Sequence, residues 1–181
     1  MEAYLDNSAT TRPSEAAIEA VTQAMREGYF NPSSPYGPAL DAEKRLAACR
    51  ALLLQRLGNF PGEVIFTSGG TEADNLAILG YLDGQKKPGR VLYTAVEHPA
   101  VKQSCLAAQR MGHTAQAIPV LQDGTVDLTA LEGMLGEDVL LLCVMQVNNE
   151  TGAIQPIREI ALLRDKLCPD AAVHVDGVQG F

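Results

Sequence analysis

The run Val139-Leu140-Leu141-Leu142-Cys143-Val144-Met145 constrains the fold more than any other part of the 181-residue chain. It is short, β-rich and apolar at every position. A strand with one face in water alternates apolar and polar side chains, so a strand without alternation is covered on both faces. At this length it is far below the roughly 20 apolar residues of a membrane helix. Segments of strand and helix character alternate around it. Val64-Ile65-Phe66, Arg90 to Thr94, Ala115 to Val120 and Ala172 to Val175 read as strands, and the apolar run extends as a strand from Val139 to Val147. Helical spacing of apolar residues marks Ser14 to Gly28 through Ile18, Val21 and Met25, and Ala39 to Leu57 through Leu46, Cys49, Leu53 and Leu57. Further helices are expected over Leu76–Leu82, Pro99–Met111, Asp127–Leu135 and Pro156–Leu167. Such alternation implies an α/β fold, a mostly parallel sheet with helices on both faces.

The net charge of −8 argues against nucleic acid as a partner, because phosphate neutralisation needs a basic patch. Met1 to Asp6 lacks a basic stretch followed by an apolar one, so no signal peptide is expected and the location reads as cytoplasmic. Cys49, Cys105, Cys143 and Cys168 share no C-x-x-C spacing and lie in apolar or helical stretches, which suggests buried structural thiols. With His98, His113 and His174 also scattered, no metal site is expected. Residues 1–12 read as a polar N-terminal arm and residues 13–181 as the body of the α/β domain.

In an open α/β sheet, ligands bind beyond the carboxyl ends of the strands. Polar groups collect there. Phe66 is followed by Thr67-Ser68-Gly69-Gly70-Thr71, a turn into a helix whose first amides have no internal partners. Ser68 and Thr71 add hydroxyls to this anion cup. Beyond Thr94 stand Glu97 and His98, beyond Val147 stand Asn148, Asn149 and Glu150, and beyond Val175 stand Asp176 and Gln179. Each has a plainer reading: a capped turn, a helix start at His98, an asparagine turn, a cap at Asp176. Their shared position favours a common ligand. Pyridoxal 5′-phosphate fits, with its phosphate in the glycine turn, an Asp keeping the pyridine nitrogen protonated and an imidazole against the ring.

At these residues the chain resembles the cysteine desulfurases, within the class V aminotransferase-like, fold type I pyridoxal phosphate enzymes. The matching stretches are Tyr4 to Thr11, Asn31-Pro32-Ser33-Ser34, Phe66 to Glu72 with Asn75-Leu76-Ala77, Glu97-His98-Pro99-Ala100-Val101, Val147 to Gly152, and His174-Val175-Asp176 with Gln179. The resemblance implies that Gly70 and Thr71 hold the cofactor phosphate. It implies that His98 stacks on the ring and assists proton transfer, and that Asn149 contacts cofactor or substrate. Asp176 pairs with the ring nitrogen and Gln179 with the ring hydroxyl. It implies conversion of L-cysteine to L-alanine with the sulfur captured as a persulfide on an enzyme cysteine. A homodimer and a sulfur-acceptor or scaffold protein are implied as partners. Selenocysteine lyases and aminotransferases of the same class, or a non-catalytic binding module, are the alternatives.

The chain departs from the family pattern in places. Gly177 and Gly180 stand where alanine is usual, and Tyr36 stands close to a usual histidine. The family's Ser-x-His-Lys motif, whose lysine bonds covalently to the cofactor, has no counterpart up to Phe181. Lys44, Lys86, Lys87, Lys102 and Lys166 are in the wrong context to replace it. The mobile-loop cysteine and the arginine for the substrate carboxylate have no counterpart either. The expectation is therefore the N-terminal half of a site, inactive alone, with an unpaired sheet edge that invites association.

Overall fold

A computed structural model describes residues 3–59 and 61–180; Met1 and Glu2 of the expected arm, Phe60 and Phe181 lie outside the described residues. The chain divides into two units, residues 1–66 and 67–181.

The first unit carries α1 (Glu15–Glu27) and α2 (Gly37–Arg56). Ser14 caps α1 by accepting the Ala17 amide at 3.2 Å, and Gly28 ends it, as the spacing predicts. Val64-Ile65-Phe66, expected as a strand, belongs to no sheet among the described residues. Its carbonyl at Val64 accepts from Arg50 Nε at 3.2 Å, and the Arg50 guanidinium lies 5.3 Å from the Phe66 ring centroid. Ile65 and Phe66 stay exposed. β-branched and aromatic residues favour strands because they pack against neighbouring strands, and no ladder partner is present here.

The second unit is a four-stranded, wholly parallel sheet in the order β2-β1-β3-β4. Its elements are α3 (Gly70–Asp83), β1 (Arg90–Thr94), α4 (Pro99–Ala107) and β2 (Thr114–Ile118), then α5 (Leu128–Met134), β3 (Val139–Met145), α6 (Ile157–Leu167) and β4 (Ala172–Asp176). The expected helix from Pro99 to Met111 closes with a 3₁₀ turn over Ala108–Met111, which ends at Gly112 in the left-handed region. β3 is central, and every residue but Leu140 is buried. Its side chains alternate between two cores. Leu142 and Val144 meet Leu92, Ile118, Leu131 of α5 and Ile160 of α6. Leu141 and Cys143 meet Val91, Tyr93, Ile78 and Leu82 of α3, and Val101 and Cys105 of α4. Helices thus cover both faces, which is why β3 carries no polar residue. Each fully buried Leu or Ile contributes about 1.5–3 kcal/mol by removal from water. Cys105, Cys143 and Cys168 are buried, but Cys49 is exposed on α2, contrary to the expectation from its spacing. No helix among the described residues is long and apolar enough to cross a membrane.

Because all four strands run the same way, Thr94, Ile118, Met145 and Asp176 end at one edge of the sheet.

Candidate functional site

The sheet edge at the strand ends is tied together by side chains. Gly69 caps α3 in an extended conformation that any residue adopts, and a side chain there would meet nothing within 4 Å. The N-terminus of α3 is therefore approachable by a ligand, with partial positive charge from the helix dipole. Ser68, expected to add a hydroxyl to the anion cup, instead donates its Oγ (2.5 Å) and backbone N (2.6 Å) to Glu72 Oε2. Those two bonds hold the Glu72 carboxyl below its usual range. Gly70 and Thr71 remain exposed at the helix start.

Gly70 leads directly to the β4 end. A Cβ on Gly70 would stand 3.1 Å from Val178 Cγ2, so the first turn of α3 packs on the turn after β4. One turn further along α3, buried Asp74 meets His174 Nε2 of β4 at 3.0 Å. Asp176 is the last residue of β4, buried, and its Oδ1 accepts from Val178 N at 3.0 Å. It caps no helix among the described residues; it starts the turn that brings Val178 against Gly70 of α3. Gln179 is half-buried in that turn.

The other half of the edge comes from β1 and β3. His98 is exposed and caps α4, its Nδ1 accepting from Ala100 N at 3.1 Å. The helix-start reading of His98 is thus realised, with Nε2 left for other work. Asn148 makes the turn expected of it. Its Oδ1 accepts from Glu150 N (3.0 Å) and Thr151 N (2.8 Å), and its Nδ2 donates to Val96 O (3.0 Å). Asn149, next to it, is half-buried and makes no hydrogen bond to the described residues. Contacts join Gly70 at the α3 start to the turn after Asp176 through Val178, and the loop that leads to His98 to the loop of Asn149 through Asn148. The opening arm and the Asn31–Ser34 loop belong to the first unit.

Glu97, Asn148 and Asp74 carry more of this arrangement than their residue types suggested. Glu97 Oε1 accepts from Thr94 Oγ1 (2.5 Å) and Met145 N (2.7 Å), while Oε2 is buried without a partner among the described residues. Burial pushes the Glu97 carboxyl above its ordinary value of 4.5, against the opposing effect of those two bonds. A carboxyl that holds its proton more tightly when folded stabilises the fold below its unfolded pKa and loses that contribution as pH rises through the folded value. Glu97→Gln has no such proton to lose. Its thermal stability relative to the parent protein is therefore expected to rise as the pH is raised from below 4.5, and a constant difference would contradict this. Asp74 was legible as a buried acid from its register with Ile78 and Leu82 along α3.

An aminotransferase class-V family model matches residues 3–181. The chain belongs to this family. Cysteine desulfurase NifS of Azotobacter vinelandii is 38% identical over 181 residues, which cover 98% of this chain and 44% of that protein. Cysteine desulfurase IscS 1 of Archaeoglobus fulgidus is 36% identical over 174 residues, 96% of this chain and 45% of the relative. Among solved structures, a NifS-like protein superposes with a TM-score of 0.92 at 34% identity, covering 99% of this chain and 50% of the other. A structure of SspA in complex with cysteine gives 0.86 at 27% identity, covering 98% of this chain and 51% of the other. The chain thus spans about half the length of these class V relatives.

Proposed function

We propose that this chain supplies the phosphate-, ring- and substrate-facing groups of a pyridoxal 5′-phosphate-dependent cysteine desulfurase. The observation that carries the reading is the junction of α3 with the β4 end. A glycine-bordered helix N-terminus packs through Gly70 and Val178 onto the turn that begins at buried Asp176. An anion site and a carboxylate side by side suit a ligand with a phosphate and a protonated ring nitrogen. When bound, the cofactor supplies an electron sink for bonds at the α-carbon of an amino acid.

The residues act around it as follows. Gly70 and Thr71 present backbone and hydroxyl donors to the phosphate. Asp176, held by the Val178 amide, would pair with the ring nitrogen and keep it protonated. His98 has Nδ1 engaged with α4, and its Nε2 would be the atom that carries a proton. Gln179 orients the ring hydroxyl, and Asn149 offers an amide to cofactor or substrate. In the proposed reaction the Cβ–S bond of L-cysteine breaks, alanine leaves, and the sulfur joins an enzyme cysteine as a persulfide. The cysteine desulfurase names of the relatives and the cysteine-bound SspA structure support this substrate. The same reading makes the working protein a cytoplasmic homodimer that hands sulfur to an acceptor protein.

Titration of the full chain with pyridoxal 5′-phosphate, followed by fluorescence, is expected to show saturable binding that dialysis reverses. Borohydride reduction and peptide mass spectrometry are expected to find no specific adduct on Lys44, Lys86, Lys87, Lys102 or Lys166. Absence of saturable binding would overturn the assignment of the cofactor. A specific adduct on one of these lysines would overturn the non-covalent mode.

A further inference from the structure

β1 and β3 part company before β3 ends. Their register runs from Arg90 to Tyr93, opposite Val139 to Cys143, whereas β3 continues with β4 as far as Met145 opposite Asp176. Past Thr94 the chain turns away, with Glu97 N donating to Thr94 O at 3.1 Å. The Met145 amide on the β1 side of β3 is thereby deprived of a strand carbonyl. Glu97 Oε1 replaces it at 2.7 Å. The side chain of the turn thus extends a ladder that the backbone has left. A reciprocal bond runs the other way, from Asn148 Nδ2 to Val96 O at 3.0 Å. The turn after β1 therefore holds the end of β3, and the loop after β3 holds the turn after β1, each with one buried side chain. Both are nearly sequestered, Glu97 at 8% and Asn148 at 7% exposure.

This arrangement is more costly than stability alone requires. Glu97 leaves Oε2 buried and unpartnered among the described residues, and such an atom carries a desolvation penalty that native structures rarely retain without a reason. The residue next to Glu97 is His98, and the residue next to Asn148 is Asn149. The two clasped loops are those that carry the proton-handling imidazole and the substrate-facing amide of the reading above.

We propose that Glu97 and Asn148 are positioning residues, a reciprocal clasp that sets His98 and Asn149 relative to each other and to the bound cofactor. The proposal rests on the pyridoxal phosphate reading for its last element only. A clasp differs from two local turn contacts in its reach. Disturbing one loop must move the reporter residue of the other.

The test uses the full chain with three substitutions, Glu97→Ala, Glu97→Gln and Asn148→Ala. Amide exchange, the ring resonances of His98 and the side-chain amide resonances of Asn149 are followed by NMR without cofactor. Pyridoxal 5′-phosphate affinity is measured separately. Glu97→Ala is expected to speed exchange at Met145 by about ten- to a hundredfold relative to Leu142, shift Asn149 and weaken the cofactor by a similar factor. Glu97→Gln keeps an acceptor oxygen and is expected to restore protection at Met145. Asn148→Ala is expected to shift the His98 ring resonances although it lies on the other loop. Unmoved His98 resonances in folded Asn148→Ala, or an unprotected Met145 in folded Glu97→Gln, would overturn the clasp. If the parent chain binds no cofactor, the functional reading fails, while the cross-loop shifts still decide whether the loops are clasped.

Discussion

Asp176→Asn is expected to weaken pyridoxal 5′-phosphate binding by about ten- to a hundredfold while leaving the fold in place. Asn keeps an oxygen to accept the Val178 amide, the bond that starts the turn toward Gln179. The Asp74–His174 pair and the β3–β4 register do not involve the substituted carboxylate. What disappears is the negative charge to which the proposed function assigns the protonation of a ring nitrogen. A hydrogen bond to a charged group contributes about 1.5–3 kcal/mol, which sets the expected loss. The effect is measured as the shift in the midpoint of a fluorescence titration at constant pH. An independent readout comes from Glu97, whose carboxyl Asp176 helps to push upward. Removing that neighbouring charge favours ionisation of Glu97, so its titration, followed by ¹³C NMR, is expected to move to lower pH. Unaltered cofactor affinity in a folded variant would remove Asp176 from the ring-nitrogen role.

The parts of the fold that local chemistry determines were legible from the chain. β1 falls over Arg90–Thr94 as expected, and α1 starts and stops at Ser14 and Gly28 because capping is a short-range matter. β3 was marked as doubly covered by its unbroken apolar run, and two cores lie against it. Val64-Ile65-Phe66 misled for the converse reason. Its composition suits a strand, but a strand exists only with a partner, and that is a property of distant residues. Cys49 misled similarly, since helical spacing marks an apolar face without saying that anything covers it.

The candidate site divides along the same line. Parallel strands place Asp176 and the His98 and Asn149 loops at one edge, and this followed from topology. The contacts that join them did not. Gly70 against Val178, Asp74 with His174, and Glu97 with Met145 are separated by tens of residues in sequence. Ser68 shows the limit most clearly. Its hydroxyl stands in the expected turn, yet Glu72, four residues on, takes it up.

Gly180→Ala is expected to disturb the turn that carries Gln179, whereas Gly177→Ala is expected to be nearly silent. Both positions bear glycine where the cysteine desulfurases usually have alanine, but their surroundings differ. A Cβ on Gly177 would stand 3.7 Å from Gln146 Oε1, an ordinary contact. A Cβ on Gly180 would stand 2.3 Å from Gln146 Oε1, 2.4 Å from Cδ and 2.8 Å from Cγ. Gln146 cannot retreat as a whole. Its amide donates to Asp176 O at 2.9 Å, and its carbonyl accepts from Gln155 N at 2.9 Å. Its side chain must adopt another rotamer or the 177–180 turn must open, breaking the Gly180 N to Gly177 O bond. Overpacking of this kind costs about 1–3 kcal/mol, and each kcal/mol lowers the melting temperature of a domain of this size by about 2–4 °C. Cofactor affinity is expected to fall as well, because the displaced turn carries Gln179 and adjoins Gly70 through Val178. Gln146→Ala removes the obstructing atoms, so Gly180→Ala made in that background is expected to cost little. The double-mutant cycle, read by thermal unfolding and by cofactor titration, should therefore be strongly non-additive. Additive losses would mean that glycine at 180 answers to something other than the Gln146 side chain.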